Sequence, residues 1–163
     1  MIAIGIDPGI ATTGYGVVRE EADGRLTALA HGVIETPKGE PLPRRLQMLQ
    51  QQLDALIATW QPQEAAVEEL FFATNAKTAM TVGQARGVVL LTLCNAQIEV
   101  HEYTPLQVKQ AISGYGQADK RQMQEMVRLL LDLPAIPKPD DAADALAIAV
   151  THLQSRKWVK LNA

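Results

Sequence analysis

The stretch IAIGIDPGIATTGYGVVRE, residues 2–20, decides how this chain begins to fold. IAIGID (2–7) is a short run rich in β-branched residues, and a Pro-Gly pair closes it. YGVVRE (15–20) follows after a turn rich in glycine and threonine. Two short apolar runs joined by such a turn predict a β-hairpin.

Beyond this hairpin, the chain alternates between helix and strand patterns. Apolar residues recur at helical spacing over 43–60, and a proline in the first turn opens that predicted helix. The other predicted elements are a third strand at 26–36, a fourth strand at 64–70, a helix over about 75–94, a fifth strand at 98–103 and three further helices. This order predicts an α/β fold with a five-stranded mixed sheet flanked by helices. Hairpin-connected strands should pair antiparallel and helix-connected strands parallel.

Length and composition are those of a single folded unit. The chain has 163 residues, 47% of them hydrophobic and 20% charged, which suffices for one hydrophobic core. We expect one domain over 1–155 and a short, flexible C-terminal tail over 156–163. The sequence shows neither a basic-then-apolar leader nor an apolar run of about 20 residues, so we expect a cytoplasmic protein with no membrane segment. The single cysteine, Cys94, lies in an apolar run and is predicted to be buried.

Four acidic residues are candidates for a common site. Asp7 ends the first predicted strand, and Glu68 stands at the end of the fourth. Asp141 and Asp144 are three residues apart in the last predicted helix, so they share a helix face. Asp7 could equally be a turn residue, Glu68 a solvated strand end and Asp141 a helix cap. Asp144 is harder to explain in this way, because alanine and leucine surround it and an unpaired buried carboxylate is costly.

These four carboxylates meet if the first and fourth strands are neighbours and the last helix crosses the sheet. Clustered carboxylates repel one another unless cations neutralise them, and hard oxygen ligands suit Mg²⁺ or Mn²⁺. The net charge of the chain is −3. Two bound divalent cations would add four positive charges and bring the net charge to +1, so that basic side chains would dominate the electrostatic field around the protein. The acidic neighbours Glu69 and Asp140 leave a one-residue ambiguity in each assignment. Strand alternation allows only one of Glu68 and Glu69 to reach the site.

Five motifs together resemble the RuvC family of Holliday junction resolvases. They are GIDPGIATTGYGVV (5–18), AVEELFF (66–72), NAKTAMTVGQARG (75–87), VKQAI (108–112) and DDAADALAIAVTH (140–152). The resemblance implies a ribonuclease H-like nuclease domain, a homodimer, and Mg²⁺-dependent nicking of two opposed strands at a four-way DNA junction during recombination and repair. It also implies two Mg²⁺ ions per subunit, replaceable by Mn²⁺. The catalytic, metal-binding acids it implies are Asp7, Glu68, Asp141 and Asp144, with Asp140 left as a helix cap.

The same resemblance assigns DNA contacts and partners. Lys109 and Lys120 match lysines that touch the DNA backbone near the cut, and Phe71 matches an aromatic side chain that stacks on an unpaired base. The branch-migration proteins RuvA and RuvB are implied as partners. Without the resemblance, the two lysines are solvated surface residues and Phe71 is a core residue.

A stripe of small residues marks the second predicted helix. Ala79, Gly83 and Gly87 recur at four-residue steps. Glycine inside a helix costs about 1 kcal/mol relative to alanine, so the stripe indicates a packing role. Dimerisation and packing of the helix on its own sheet explain it equally well.

Three other functions are compatible with parts of the pattern. A different ribonuclease H-like nuclease, acting on RNA or on an RNA-DNA hybrid, would use similar acids and metals. A sugar kinase or actin-like ATPase would share the glycine-rich first hairpin, but such proteins close two domains around a nucleotide and this chain supplies one. A junction-binding protein without catalysis fits poorly with four intact acids. His31, His101 and His152 are interpreted as structural or surface residues.

Overall fold

The computed structural model describes residues 1–69 and 76–162, in which five strands and five helices follow in the predicted order. The strands are β1 (Ile2–Asp7), β2 (Thr12–Glu20), β3 (Leu26–Glu35), β4 (Glu64–Glu68) and β5 (Glu99–Tyr103). The helices are α1 (Leu42–Trp60), α2 (Ala76–Asn95), α3 (Pro105–Ser113), α4 (Lys120–Leu130) and α5 (Asp140–Asn162). The predicted order is therefore confirmed. None of the described helices has the length and apolar composition required to cross a membrane.

The five strands form one mixed sheet in the order β3-β2-β1-β4-β5. β1 pairs antiparallel with β2, and β2 pairs antiparallel with β3. β4 lies parallel to β1, and β5 lies parallel to β4, because the helical connections return the chain to the same end of the sheet. The carboxyl ends of the two neighbouring strands β1 and β4 therefore meet at one end of the sheet.

Alternation along β1 divides the core into two layers. Ile4 and Ile6 belong to the layer that α1 and α2 cover, where they pack with Leu53 and Val89. Ala3 belongs to the opposite layer, which α5 builds together with α3 and α4. The small residues on that side of β1 leave room for α5 to lie close to the sheet.

Glycines in the first hairpin bring α5 against the backbone of the sheet. A Cβ atom added at Gly5 would lie 2.6 Å from the Ala149 backbone nitrogen, and one added at Gly16 would lie 2.8 Å from that of Leu146. Both distances are well inside van der Waals contact, so neither position accepts a side chain unless the helix moves. This close approach determines the position of the first turns of α5, which carry the acidic residues, over the sheet.

Gly5→Ala should destabilise the fold by about 2–3 kcal/mol, as overpacking of a core typically does. The new methyl group would press on main-chain atoms of α5, which cannot rotate away as a side chain can. Urea denaturation followed by circular dichroism measures the change in the free energy of unfolding. Gly39→Ala is the matched control, because no atom lies within 4 Å of the added Cβ. Equal stabilities of the two variants would contradict the close approach.

Two local expectations differ from the structure. α5 continues through 156–162, where a flexible tail was expected. Arg156 and Lys157 pair with Glu20 at 3.7 and 2.8 Å, and neither glycine nor proline interrupts the segment, which explains why the backbone stays helical. The prediction that Cys94 is buried is wrong, because this position lies on the exposed side of α2.

Candidate active site

Asp7 and Glu68 stand side by side at the ends of two parallel strands. The last paired residues of β1 and β4 are Ile6 and Val67, so the next residue of each strand lies at the same end of the sheet. The Asp7 carboxyl donates a hydrogen bond to Glu68. The structure therefore brings together the two acids that the sequence placed at strand ends.

The first turns of α5 add two more carboxylates. One carboxylate oxygen from each of Asp7, Asp141 and Asp144 lies within 4.8 Å of the other two. A Cβ atom added at Gly14 of β2 would lie 2.6 Å from the Asp141 carbonyl carbon, so a glycine is what lets this part of α5 rest on the sheet. Glu68 joins the group through its hydrogen bond with Asp7. All four acids predicted from the sequence thus converge.

Burial and mutual repulsion make these acids hard to ionise in the protein alone. The pKa of Asp7 is raised to about 8, first by burial and then by the charges of Glu68 and Asp144. Burial also raises the pKa of Glu68, and the charge of Asp144 adds to this although Lys109 opposes it. Burial is the main cause that raises the pKa of Asp144, against the attraction of Lys120. A cluster with these oxygen donors can hold a metal ion, whose charge would replace the protons.

The two acidic neighbours left ambiguous by the sequence make different contacts. Glu69 is exposed, and its backbone nitrogen donates to the Tyr103 carbonyl at 2.8 Å as β4 ends. Asp140 is also exposed; its carboxylate lies 2.8 Å from Lys120 Nζ and accepts from Gln124 Nε2 at 3.1 Å. The expectation that Asp140 caps the last helix is wrong, because it is the first residue of α5 and its side chain reaches across to α4.

A pocket of about 330 Å³ adjoins the acids and contains two predicted DNA-binding residues. Lys109 of α3 and Lys120 of α4 line it together with Glu68 and Asp144. The position of Lys120 follows from a capping box at Asp119, which begins α4 there. The pocket therefore places two lysine side chains beside the carboxylates. A phosphate bound at the acids would lie between the positive lysines and the acidic cluster.

Arg86 is a functional candidate that the sequence reasoning missed. Its Nη2 lies 2.7 Å from Glu102, and its Nε donates to the Glu68 carbonyl at 3.3 Å. It lines a second pocket, of about 200 Å³, that also includes Asp7. It lies within the motif at 75–87, but the sequence does not show that tertiary packing brings this part of α2 to the end of β4. Phe71, the remaining predicted DNA contact, lies outside the described residues.

The architecture and the site together define a class of protein. A five-stranded mixed sheet, with acids at the ends of two parallel strands and on the helix that crosses them, is a ribonuclease H-like fold with a nuclease-type acidic cluster. The sequence profile of the family described as "Crossover junction endodeoxyribonuclease RuvC" matches residues 3–152. The chain belongs to this family.

Individual relatives agree with the family match. A crossover junction endodeoxyribonuclease RuvC from Rubrobacter xylanophilus is 60% identical over 156 residues, which cover 96% of this chain and 87% of the relative. The enzyme of the same description from Chloroflexus aurantiacus is 61% identical over 152 residues, covering 93% and 92% of the two chains.

Solved structures show the same likeness. The structure of Thermus thermophilus RuvC matches with a TM-score of 0.89 at 39% identity, covering 97% of both chains. The structure of T. thermophilus RuvC in complex with a Holliday junction substrate matches with a TM-score of 0.91 at 38% identity, covering 97% of this chain and 96% of that one. The expected ribonuclease H-like fold is thereby confirmed.

Proposed function

We propose that this chain is an endodeoxyribonuclease that resolves Holliday junctions by nicking two opposed strands during recombination and repair. The convergence of Asp7, Glu68, Asp141 and Asp144 at one end of the sheet carries the proposal. Its support from relatives is the family membership and the likeness to a RuvC bound to a Holliday junction substrate. Hydrolysis adds one water across a phosphodiester and leaves a phosphate and a hydroxyl at each nick.

We propose that the four acids hold two Mg²⁺ ions, for which Mn²⁺ can substitute. The fit rests on the donor set, because the cluster offers carboxylate oxygens that burial has desolvated and that repel one another. When bound, such ions supply Lewis acidity at the scissile phosphate and lower the pKa of the attacking water. The protein's own part is to keep the carboxylates converged and to shield Asp7 and Asp144 in part from water, since both are half-buried.

Lys109 and Lys120 are proposed to bind DNA phosphates next to the cut. Both line the pocket beside Glu68 and Asp144, and Lys120 is exposed enough to meet a ligand, with 59% of its side chain accessible. The ion pair with Asp140 at 2.8 Å holds Lys120 over the pocket. For Phe71, stacking on an unpaired base at the branch point is proposed from the family resemblance alone.

A homodimer is proposed because two symmetric nicks need two symmetrically related sites. On α2, Met80 and Leu91 have 68% and 59% of their surface exposed. Gly87 is exposed as well, and beyond its chain neighbours and the nearby backbone of α2 no atom lies within 4 Å of where its Cβ would be. These observations favour dimerisation over packing on the chain's own sheet as the reason for the small-residue stripe. Cooperation with RuvA and RuvB is proposed from the family resemblance alone.

The purified protein should cut a labelled synthetic four-way DNA junction into two nicked duplexes, with paired nicks at symmetric positions, when Mg²⁺ is present. Chelation by EDTA should stop cleavage, because the acids then hold no cation. Denaturing gels of junctions labelled on each strand in turn measure the position and symmetry of the nicks. Linear duplex and RNA-DNA hybrid of the same sequence are the controls. Preferential cleavage of the hybrid would replace the proposal with a ribonuclease activity, and binding without cleavage in several junction sequences would reject catalysis.

A further inference from the structure

A second cluster of ligand-type side chains lies at the opposite end of β4 from the acids. Glu64 begins β4, and the parallel register places Glu99 of β5 beside it and His101 beside Ala66. These side chains point to the face that α5 covers, and α5 places His152 over them. Glu64 and Glu68 are four residues apart on one strand, or about 13 Å at 3.3 Å per residue, so this cluster is separate from the acidic site.

Three of these residues are within reach of a single ion. One ligand atom from each of Glu64, His101 and His152 lies within 4.8 Å of the other two. His152 is buried, with 1% of its side chain exposed, and its Nε2 lies 2.6 Å from Glu64 Oε2. The His101 and His152 rings are 4.4 Å apart between centroids.

His101 contributes an independent observation. Among the described residues, its Nε2 is the one buried side-chain nitrogen or oxygen atom that has no hydrogen-bond partner. Glu99 Oε1 lies 3.2 Å from this nitrogen but outside the geometry of a hydrogen bond. A buried polar atom without a partner is costly in a native fold and calls for an explanation. The residue that carries this unpartnered atom is one of the three whose ligand atoms lie together, with Glu64 and His152.

The charges of the surrounding groups suit a cation held by two imidazoles. Glu64, Glu99 and Glu20 contribute three negative charges, whereas Arg156 and Lys157 contribute two positive ones, so one negative charge remains. Arg156 Nη2 lies 3.0 Å from Glu64 Oε1, which leaves the other oxygen of Glu64, Oε2, on the side of His152. The arginine therefore holds the carboxylate in place without occupying the oxygen that faces the histidines.

We propose that Glu64, His101 and His152 bind a divalent transition-metal ion of the zinc class, with Glu99 as the fourth ligand. Two imidazoles with carboxylates are a typical ligand set for Zn²⁺, whereas Mg²⁺ prefers oxygen donors alone. Two further residues hold the proposed ligands in place. Arg156 binds Glu64, and the Tyr103 hydroxyl lies 2.9 Å from His152 Nδ1. The ion would join β4, β5 and α5 at the edge of the sheet.

Titration of the metal-free chain of 163 residues with Co²⁺ in excess Mg²⁺ tests the site, because Mg²⁺ occupies the acidic cluster but competes poorly for imidazoles. We expect one Co²⁺ per chain with the intense visible absorption of a four-coordinate ion, displacement by one equivalent of Zn²⁺, and a higher melting temperature with Zn²⁺. Wild-type protein without this absorption, or with a melting temperature indifferent to Zn²⁺, would overturn the proposal.

Variants locate the ion. His101→Phe removes a ligand but keeps a ring against His152, and it should weaken Co²⁺ binding by at least about 100-fold. Glu99 has 72% of its side chain exposed, so Glu99→Gln should not disturb folding. This substitution should weaken Co²⁺ binding by about tenfold. His31→Gln, at an exposed position on β3, is the matched control and should leave Co²⁺ binding unchanged. Junction cleavage in Mg²⁺ should be unaffected in all three. Binding that survives His101→Phe but disappears with Asp7→Asn would place the ion at the acidic cluster and reject this site.

Discussion

Asp7→Asn should reduce junction cleavage by about 10³-fold or more while leaving junction binding intact. An amide cannot supply the negative charge that holds a cation at this position, where Asp7 converges with Glu68, Asp141 and Asp144. Loss of about 4 kcal/mol of Lewis-acid stabilisation corresponds to this factor at 1.36 kcal/mol per tenfold. Single-turnover rates on a labelled four-way junction measure cleavage, and a mobility-shift titration of the same junction measures binding.

The same substitution should stabilise the metal-free protein at alkaline pH. The pKa of Asp7 is raised in the folded state from 3.8 to about 8, so between these values the folded state binds a proton that the unfolded chain releases. The stability that this proton contributes is complete below about pH 4 and is lost as pH rises through about 8. Asparagine carries no such titration. In EDTA, the difference in unfolding free energy should therefore favour the variant increasingly towards pH 9, by roughly 2–5 kcal/mol.

In Mg²⁺ the wild-type protein should become more stable than the Asp7→Asn variant, because the ion binds the folded wild-type protein and stabilises it by mass action. Asp54→Asn, an exposed acid on α1, is the control and should follow wild type in both cleavage and pH dependence. Melting temperatures of the three proteins from pH 5 to pH 9, with and without Mg²⁺, give the comparison. A variant that cleaves within tenfold of wild type would show that Asp7 is not required. A difference in stability that does not change with pH would show that the carboxyl is not held protonated.

The arrangement of strands and helices was predictable because its signals are local. Alternation in β1 separated Ile4 and Ile6 from Ala3 and Gly5, and those two sets face different layers of the structure. Glycine, proline and helical spacing placed the other elements. Where the signal was weak, the structure differs from the prediction: the segment after residue 155 was expected to be a flexible tail, but Arg156 and Lys157 pair with Glu20 of β2 and the helix continues to Asn162.

The acidic site was predictable in part, for a related reason. Strand ends and a three-residue helical spacing made Asp7, Glu68, Asp141 and Asp144 candidates without knowledge of the sheet order. Only the resemblance to the RuvC family favoured Glu68 over Glu69 and Asp141 over Asp140. Contacts that depend on tertiary packing were not accessible. Glu64 and His152 are 88 residues apart in sequence, and only the parallel pairing of β4 with β5, under α5, brings His101 to them. Each of those residues taken alone looks like an ordinary surface or structural side chain.

Glu68→Gln should lower cleavage by about 10²–10³-fold, whereas Glu69→Gln should leave it within about twofold of wild type. Glutamine keeps the size of the side chain and removes the charge that helps to hold a cation. Ala66 and Glu68 share the face of β4 that α5 covers, while Val67 and Glu69 belong to the opposite face. Initial rates at saturating enzyme, with the Mg²⁺ concentration varied, separate a loss of cation affinity from a loss of maximal rate.

The pair of variants tests the register of β4 at the end that matters for catalysis. A loss confined to Glu69→Gln would mean that the strand reaches the site shifted by one residue. Such a shift would also exchange the layers of Ala66 and Val67, both of which are fully buried. Equal losses in both variants, restored in both by higher Mg²⁺, would mean that the summed charge at the strand end attracts the cation and that neither carboxylate is a specific ligand. The expected asymmetry follows from side-chain alternation and from the hydrogen bond that joins Glu68, and not Glu69, to Asp7.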